Sequence, residues 1–396
     1  MVKTGIDILL MMQPAWRTAT IGLVTNAAAC TAQGIPTRKA LQDAGYNLIR
    51  LFSPEHGLNA KGTDGAPMQH HLDPLTQLPV VSLYGEKLAP TTEDLDGLDI
   101  LLFDIPDVGA RFYTYLWTMT YCLERCAQSK KRFIILDRPN PLSGNLNLAE
   151  GPYLEEQYCS SFIGRWNIPI RHSCTLGELA LYFNGLKNIA CSLEIIPCEN
   201  WNRNQFFPAT DLAFTPPSPA LQYFENIVLY PGTCFLEATN LHEGRGTDHA
   251  FRMVGAPWLD PNSLQQALQA YAVKGLEYAT THFVSTSSKY QGQSCGALVF
   301  TVTDFTLFRP VQFGLILLHC LKALYPNFSW ESYPTVANPS GEKHLERLVG
   351  IKDCADWFLL DTPAFLATIT KVSDVAASWT ARVRPYLQYP AANINS

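Results

Sequence analysis

Five short apolar runs mark the first third of the chain, and each of them stops on polar side chains. Residues 20–25 (TIGLVT), 47–52, 78–83, 99–103 and 132–136 carry the β-branched and aliphatic side chains of buried strands. Helical patterns lie between them, at residues 37–44, closed by Gly45, and at 112–128. Strands that alternate with helices pair in parallel, because each crossover helix packs back onto a face of the sheet. The pattern predicts an α/β fold with a Rossmann-like, doubly wound parallel sheet.

The strand ends of such a sheet share one rim, and ligands bind there. Asn26 follows the first strand and Ser53-Pro54-Glu55-His56-Gly57 the second. Tyr84-Gly85 follows the third, Asp104 and Asp107 the fourth, and Asp137-Arg138-Pro139-Asn140 the last. Residues 139–152 are then rich in Pro, Gly and Asn, which suits a crossing between domains. A chain of 396 residues can bury two cores. The expected division is a Rossmann-like N-terminal domain over residues 1–152 and a second α/β domain over 153–396, with an active-site cleft between them. In the second part, Thr175 with Glu178 reads as a capping box opening a helix to residue 186. Strands are expected at 192–196 and 297–302, and helices at 263–271, 311–323, 363–368 and 372–383.

Composition removes several function classes. Net charge is −6 and no Lys/Arg block stands out, so neither nucleic acid nor an anionic membrane surface is an expected partner. The apolar runs are too short to insert in a bilayer. Eleven cysteines lack a metal-binding spacing, and the odd count argues for thiols in a reducing, cytoplasmic compartment. A leader trimmed from the chain would instead make the protein periplasmic or secreted. The turn after the first strand is Asn26-Ala27-Ala28-Ala29-Cys30, with no G-x-G-x-x-G, and no Walker motif occurs. No cofactor is expected. His242-Glu243 is followed by Gly244-Arg245-Gly246, which is not the H-E-x-x-H of a zinc hydrolase.

Several polar clusters have both a chemical and a structural reading. Glu55 and His56 sit on a turn that Pro54 and Gly57 make tight, either as a rigid acid/base or as a loop whose glutamate caps a backbone group. Asp104, Asp107, Arg111 and Tyr113 precede a long helix; they either contact substrate or form a cap and an ion pair. Glu150 lies at the domain crossing and could face Glu55 as a second carboxylate, the pair that glycosidic cleavage needs. Arg171 with His172 either binds an anion or forms a surface loop. The run Glu237-Ala238-Thr239-Asn240-Leu241-His242-Glu243-Gly244-Arg245 is the densest polar stretch, a ligand contact or a charged turn.

The ordered segments TIGLVTN, LFSPEHGL, FDIPDVGARFYTY, LDRPNPLSG, EGP, IPIRHSCTLGELA, LYPGTCFLEATN, EGRGT and VGAPWLD span residues 20–260. This set resembles the exo-β-N-acetylmuramidase family of bacterial glycoside hydrolases. The resemblance implies a Rossmann-like domain, a second α/β domain and a cleft between them. It also implies release of terminal N-acetylmuramic acid from the non-reducing end of peptidoglycan fragments. Pro106, Ser173, Ala220 and Ala238 depart from the family pattern, which has Gln, Gly, Asn and Gly there. On the matched motifs, Glu55 is the expected acid/base, Glu150 its partner, and Glu237 and Glu243 the alternatives. Asn26, His56, Asp104, Asp107, Arg111, Tyr113, Asp137, Arg138, Asn140, Arg171, His172, Asn240 and Arg245 are the expected substrate contacts. Arg111, Arg171 or Arg245 would take the lactyl carboxylate. Two rival readings remain: a metal-dependent hydrolase using Asp104, Asp107, Asp137, His56 and His172, and a cell-wall sugar-binding protein without activity.

Overall fold

The computed structural model describes residues 1–63, 66 and 71–389. Seven strands form the first sheet: β1 (Ile21–Thr25), β2 (Leu48–Ser53), β3 (His71–Leu72), β4 (Pro79–Ser82), β5 (Ile100–Asp104), β6 (Arg132–Leu136) and β7 (Ser192–Ile196). Their order is β3-β4-β2-β1-β5-β6-β7. Six run in parallel, and β3 pairs antiparallel to β4 at the edge. The central strands β1 and β5 are buried along their whole length, as a sheet with both faces covered requires. The Thr114–Gln128 and Leu176–Leu186 helices pack on one face. The Gly5–Met11 and Thr37–Asp43 helices lie against the sheet as well.

Strand β7 lies beyond the crossing expected at residue 152 and completes the first sheet by pairing with β6. The second sheet holds β8 (Met253–Ala256), β9 (Leu276–Val284) and β10 (Ser294–Val302), antiparallel in the order β8-β10-β9. The Phe224–Thr233 helix packs on the Pro310–Leu324 helix, where Gly232 and Gly314 let the two backbones touch. A Cβ on Gly314 would meet the Gly232 carbonyl oxygen at 2.3 Å.

Candidate active site

Loops from both sheets meet over a cleft of about 660 Å³, counting its open mouth. Glu55 and His56 arrive on the loop after β2, and Tyr84 on the loop after β4. Tyr113 caps the N-terminus of the Thr114–Gln128 helix, which also contributes Thr114. From the second half come Tyr230, Glu237, Arg245 and, far along the chain, His344. Glu55 and Glu237 are the only carboxylates among the described lining residues.

The turn carrying Glu55 is held in an unusual backbone conformation. His56 sits at φ 65° and Gly57 at φ 72°, and the Gly57 N–H donates to the Pro54 carbonyl at 3.0 Å. A histidine in the left-handed region costs about 1 kcal/mol or more, so the surroundings must fix it. Its Nδ1 donates to the Gly62 carbonyl at 2.9 Å, which fixes the ring on the turn. Glu55 is buried and accepts the Thr114 hydroxyl at 2.7 Å. The Tyr84 hydroxyl pairs with the same carboxylate. Burial and that carboxylate both push the Tyr84 phenol far above its ordinary range, so it stays a donor.

Glu237 has the opposite surroundings. Arg245 Nη2 donates to its Oε1 at 2.6 Å and His344 Nε2 to its Oε2 at 3.0 Å. Burial alone would raise its pKa, but Arg245 and His344 outweigh it and hold the carboxyl at about 2. Arg245 also donates Nη1 to Glu243 at 2.7 Å, and its guanidinium lies 4.6 Å from the centre of the Phe251 ring. The structure therefore supplies two buried carboxylates in one cleft, one receiving neutral hydroxyls and the other locked as an anion.

Other expected site residues lie outside this lining, engaged by neighbouring groups of the fold. Glu150 does not line the cleft beside Glu55; it accepts the Gln312 N–H at 3.1 Å and stands 3.8 Å from Arg171. Arg171 donates to the Leu142 carbonyl and Arg111 to four carbonyls, those of Pro152, Ile168, Leu348 and Val349. Both arginines are almost fully buried and stand outside the cleft lining. Arg138 is paired with Asp104, which also accepts the Thr37 hydroxyl. Asp137 accepts from Thr175, Tyr389 and the Gly177 N–H, fastening both a helix N-terminus and the C-terminal segment. Asn140 bridges Cys174 and Leu142, and Asn240 bridges Asn327 and Ser329. The Asn26 side chain accepts the Ala28 N–H in an Asx turn. Glu243 is buried against Arg245 and Lys289 outside the cleft lining.

Asp107 and Arg138 border a second cavity of about 680 Å³, between the segments that follow β1 and β5. That is the point where the strand order reverses, the crevice expected from the topology. Its walls mix prolines, Phe207 and Phe214 with small and threonine side chains, and the acid pair of the main cleft is not part of them. His172 Nε2 stands 3.2 Å from Asp107 Oδ2. Among the described residues no three His, Cys, Asp or Glu side chains converge as a metal site. The grouping of Asp104, Asp107, Asp137, His56 and His172 is thus not assembled.

The tryptophans do not line the cleft; Trp117, for one, is buried and donates to the Arg111 carbonyl. Tyr333 and His344 had no motif to mark them, and Tyr230 lay inside the LYPGTCFLEATN segment without being singled out. Tyr84 was visible only as the residue ending a strand.

Family models for the N- and C-terminal domains of exo-beta-N-acetylmuramidase NamZ match residues 21–225 and 228–389. The chain belongs to the exo-beta-N-acetylmuramidase NamZ family. It is 39% identical over 327 residues to the peptidoglycan beta-N-acetylmuramidase NamZ of Bacillus subtilis (strain 168), covering 82% of this chain and 78% of that one. A DUF1343 family protein from Bacteroides fragilis NCTC 9343 superposes with a TM-score of 0.86 at 28% identity, covering 98% of this chain and 99% of the other. A second such protein from the same strain gives 0.74 at 25%, covering 99% of both. Within the NamZ frame, Glu55 falls in the N-terminal match and Glu237 in the C-terminal one, so the cleft lies where the two matched regions meet.

Proposed function

We propose that this protein is an exo-acting glycosidase that releases terminal N-acetylmuramic acid from the non-reducing end of peptidoglycan fragments. The observation that carries the chemistry is the contrast between Glu55 and Glu237 in one cleft. Glycosidic cleavage needs one carboxyl to protonate the leaving oxygen and one carboxylate to meet the oxocarbenium-like centre. Glu237, held at about 2, cannot be the proton donor at neutral pH and suits the anionic role. Glu55 takes the acid/base role, with Tyr84 and Thr114 orienting it. As the acid, Glu55 gives its proton to the glycosidic oxygen as the C–O bond breaks. Glu237 then either bonds to the anomeric carbon, to be displaced by a water that Glu55 deprotonates as base, or takes the proton of a water that attacks that carbon.

Among the three arginines considered for the lactyl carboxylate, Arg245 is the one that lines the cleft, and it is the candidate reader of that charge. All eleven cysteines are free and ten are buried, which supports a reducing compartment and a role on recycled wall fragments. Among the described residues no helix is long and apolar enough to cross a membrane.

Turnover of a chromogenic N-acetylmuramic acid glycoside tests the reading, with Glu55→Gln and Glu237→Gln beside the wild type. Release by the wild type and loss in both variants is the expected result. A folded wild-type protein that binds the sugar without turnover would favour the binding-protein alternative.

A further inference from the structure

His344 lies in the cleft far beyond the last recognised motif, which ends at Asp260, and several contacts fix its place. It opens the His344–Val349 helix directly after Lys343, a residue in the left-handed conformation. Its ring stacks on Tyr333, with centroids 4.7 Å apart and planes 22° from parallel. The loop between them is closed tightly: the Tyr333 N–H donates to the Gly341 carbonyl at 3.0 Å. Gly341 sits at φ 68°, and a Cβ there would lie 2.5 Å from the Pro334 nitrogen. Only glycine permits that return, and the return is what brings Tyr333 under His344.

The stack fixes the plane of the ring, and the ring fixes a carboxylate oxygen. Glu237 has two oxygens; Arg245 takes Oε1 and His344 takes Oε2. An ionised carboxylate only accepts, so the His344 proton must lie on Nε2. With one oxygen bound, a glutamate can still turn about its last torsion, which is broad for an sp³–sp² bond. Two donors from different segments remove that freedom. The same loop reaches the other carboxylate: Thr335 and Ala337 pair with the Tyr84 hydroxyl, and Tyr84 pairs with Glu55.

We infer that His344 is a positioning residue, which the loop from Tyr333 holds in place to set the orientation of the Glu237 carboxylate toward the sugar. It acts through Glu237 and needs no contact with substrate. The inference rests on the role proposed above for Glu237. A mispositioned catalytic group lowers turnover more than binding, since ground-state contacts survive.

Two substitutions separate the donor from the packing. His344→Phe keeps a ring against Tyr333 and removes the N–H. His344→Gln keeps an N–H donor and removes the ring. His344→Phe is expected to lower kcat about tenfold with KM within about twofold, the scale of one charge-assisted hydrogen bond. His344→Gln should recover most of that loss. The acid limb of the kcat profile should also move to higher pH in His344→Phe, because Glu237 loses one of the groups that favour its anion. The other groups facing Glu237, namely Arg245, Lys289, Glu243, Tyr230 and Cys234, stay in place.

Wild-type kcat in His344→Phe, or equal losses in the two variants, would overturn the inference. If neither variant folds, ¹⁵N-histidine NMR of the wild-type protein decides the matter. A His344 Nε2–H signal that shifts in Glu237→Gln supports it, and a ring protonated only on Nδ1 overturns it. Glu237→Gln also separates the two levels of the argument. Full activity in that variant removes Glu237 from the chemistry, whereas an inactive Glu237→Gln beside a fully active His344→Phe removes only His344.

Discussion

The Arg111 guanidinium donates to the Val349 carbonyl at 2.8 Å, joining positions 238 residues apart in the chain. Three further carbonyls, those of Pro152, Ile168 and Leu348, accept from the same side chain. The Gly350 Cα carries no side chain because a Cβ would meet Arg111 Nη2 at 2.4 Å. Arg111 thus fastens the segment that holds His344 to the loop in front of the Thr114–Gln128 helix. Burial lowers its pKa to about 9, and the four carbonyls accept its Nη1 and Nη2 hydrogens.

Arg111→Lys is therefore a stability variant. An ammonium is a point donor and cannot span the carbonyls that a planar fork reaches. The expected cost is about 3 kcal/mol, or a fall in Tm of roughly 3–5 °C in thermal unfolding. Folded Arg111→Lys should keep the wild-type preference between muramic acid and glucosamine glycosides. An unchanged Tm with lost preference would show that Arg111 touches substrate after all.

The difference between Arg111 and Glu55 shows what the sequence could convey. Strand runs alternate with helical ones along the chain, so β1, β2, β4, β5, β6 and β7 were legible to within a residue or two. Strand β9 (LEYATTHFV) was not, because it is an edge strand with mostly exposed side chains and no clean apolar alternation in sequence. The rim motif at Glu55 was legible because a tight Pro/Gly turn at a strand end leaves a carboxylate few places to point. Asp104, Arg111, Asp137 and Arg138 occupy the same rim, but nearby hydroxyls, backbone groups and charges engage them, and sequence does not show such partners. His344 was out of reach for a different reason: a loop closure at Gly341 brings it to Glu237, 107 residues away.

Glu55→Gln tests the acid/base role. The amide keeps the shape that Thr114 and Tyr84 recognise but cannot transfer the proton. Turnover of the muramic acid glycoside should fall about 10²–10⁴-fold, with KM little changed. A folded variant with near-normal kcat would shift the role to another group.

Glu150 is expected to govern a pH dependence of stability and not of turnover. Burial pushes its carboxyl up to about 7, and the distant Arg171 and the Gln312 N–H only partly offset this. The folded pKa lies above the unfolded one, so the folded state binds the extra proton between about pH 4.5 and 7. Stability should then fall as pH rises through that window, by roughly 3 kcal/mol from this group, and level off above it. Asp137, raised to about 6 by burial, adds in the same direction. Glu150→Gln should flatten the Tm curve between pH 5 and 7 and leave kcat near wild type. A large loss of kcat in the folded variant would return Glu150 to the catalytic pair.

Arg245→Lys separates charge from geometry at the anionic carboxylate. The guanidinium holds Glu237 and Glu243 at once, through Nη2 and Nη1. Lysine keeps the positive charge but has one ammonium for two carboxylates, so one of them loses its partner. If Glu243 retains the lysine, Lys289 is redundant there and Glu237 is left to His344. The pKa of Glu237, now held at about 2, would rise, since burial continues to disfavour its anion. Turnover should fall about ten- to a hundredfold, the range for a lost charged hydrogen bond, and the loss should deepen as pH decreases. The deepening is the informative sign: a carboxylate that must be ionised is titrated out first in the variant. A kcat profile parallel to the wild type, merely lower, would mean that Arg245 acts on the substrate and not on Glu237. Wild-type kcat throughout would remove the Arg245–Glu237 pair from the mechanism.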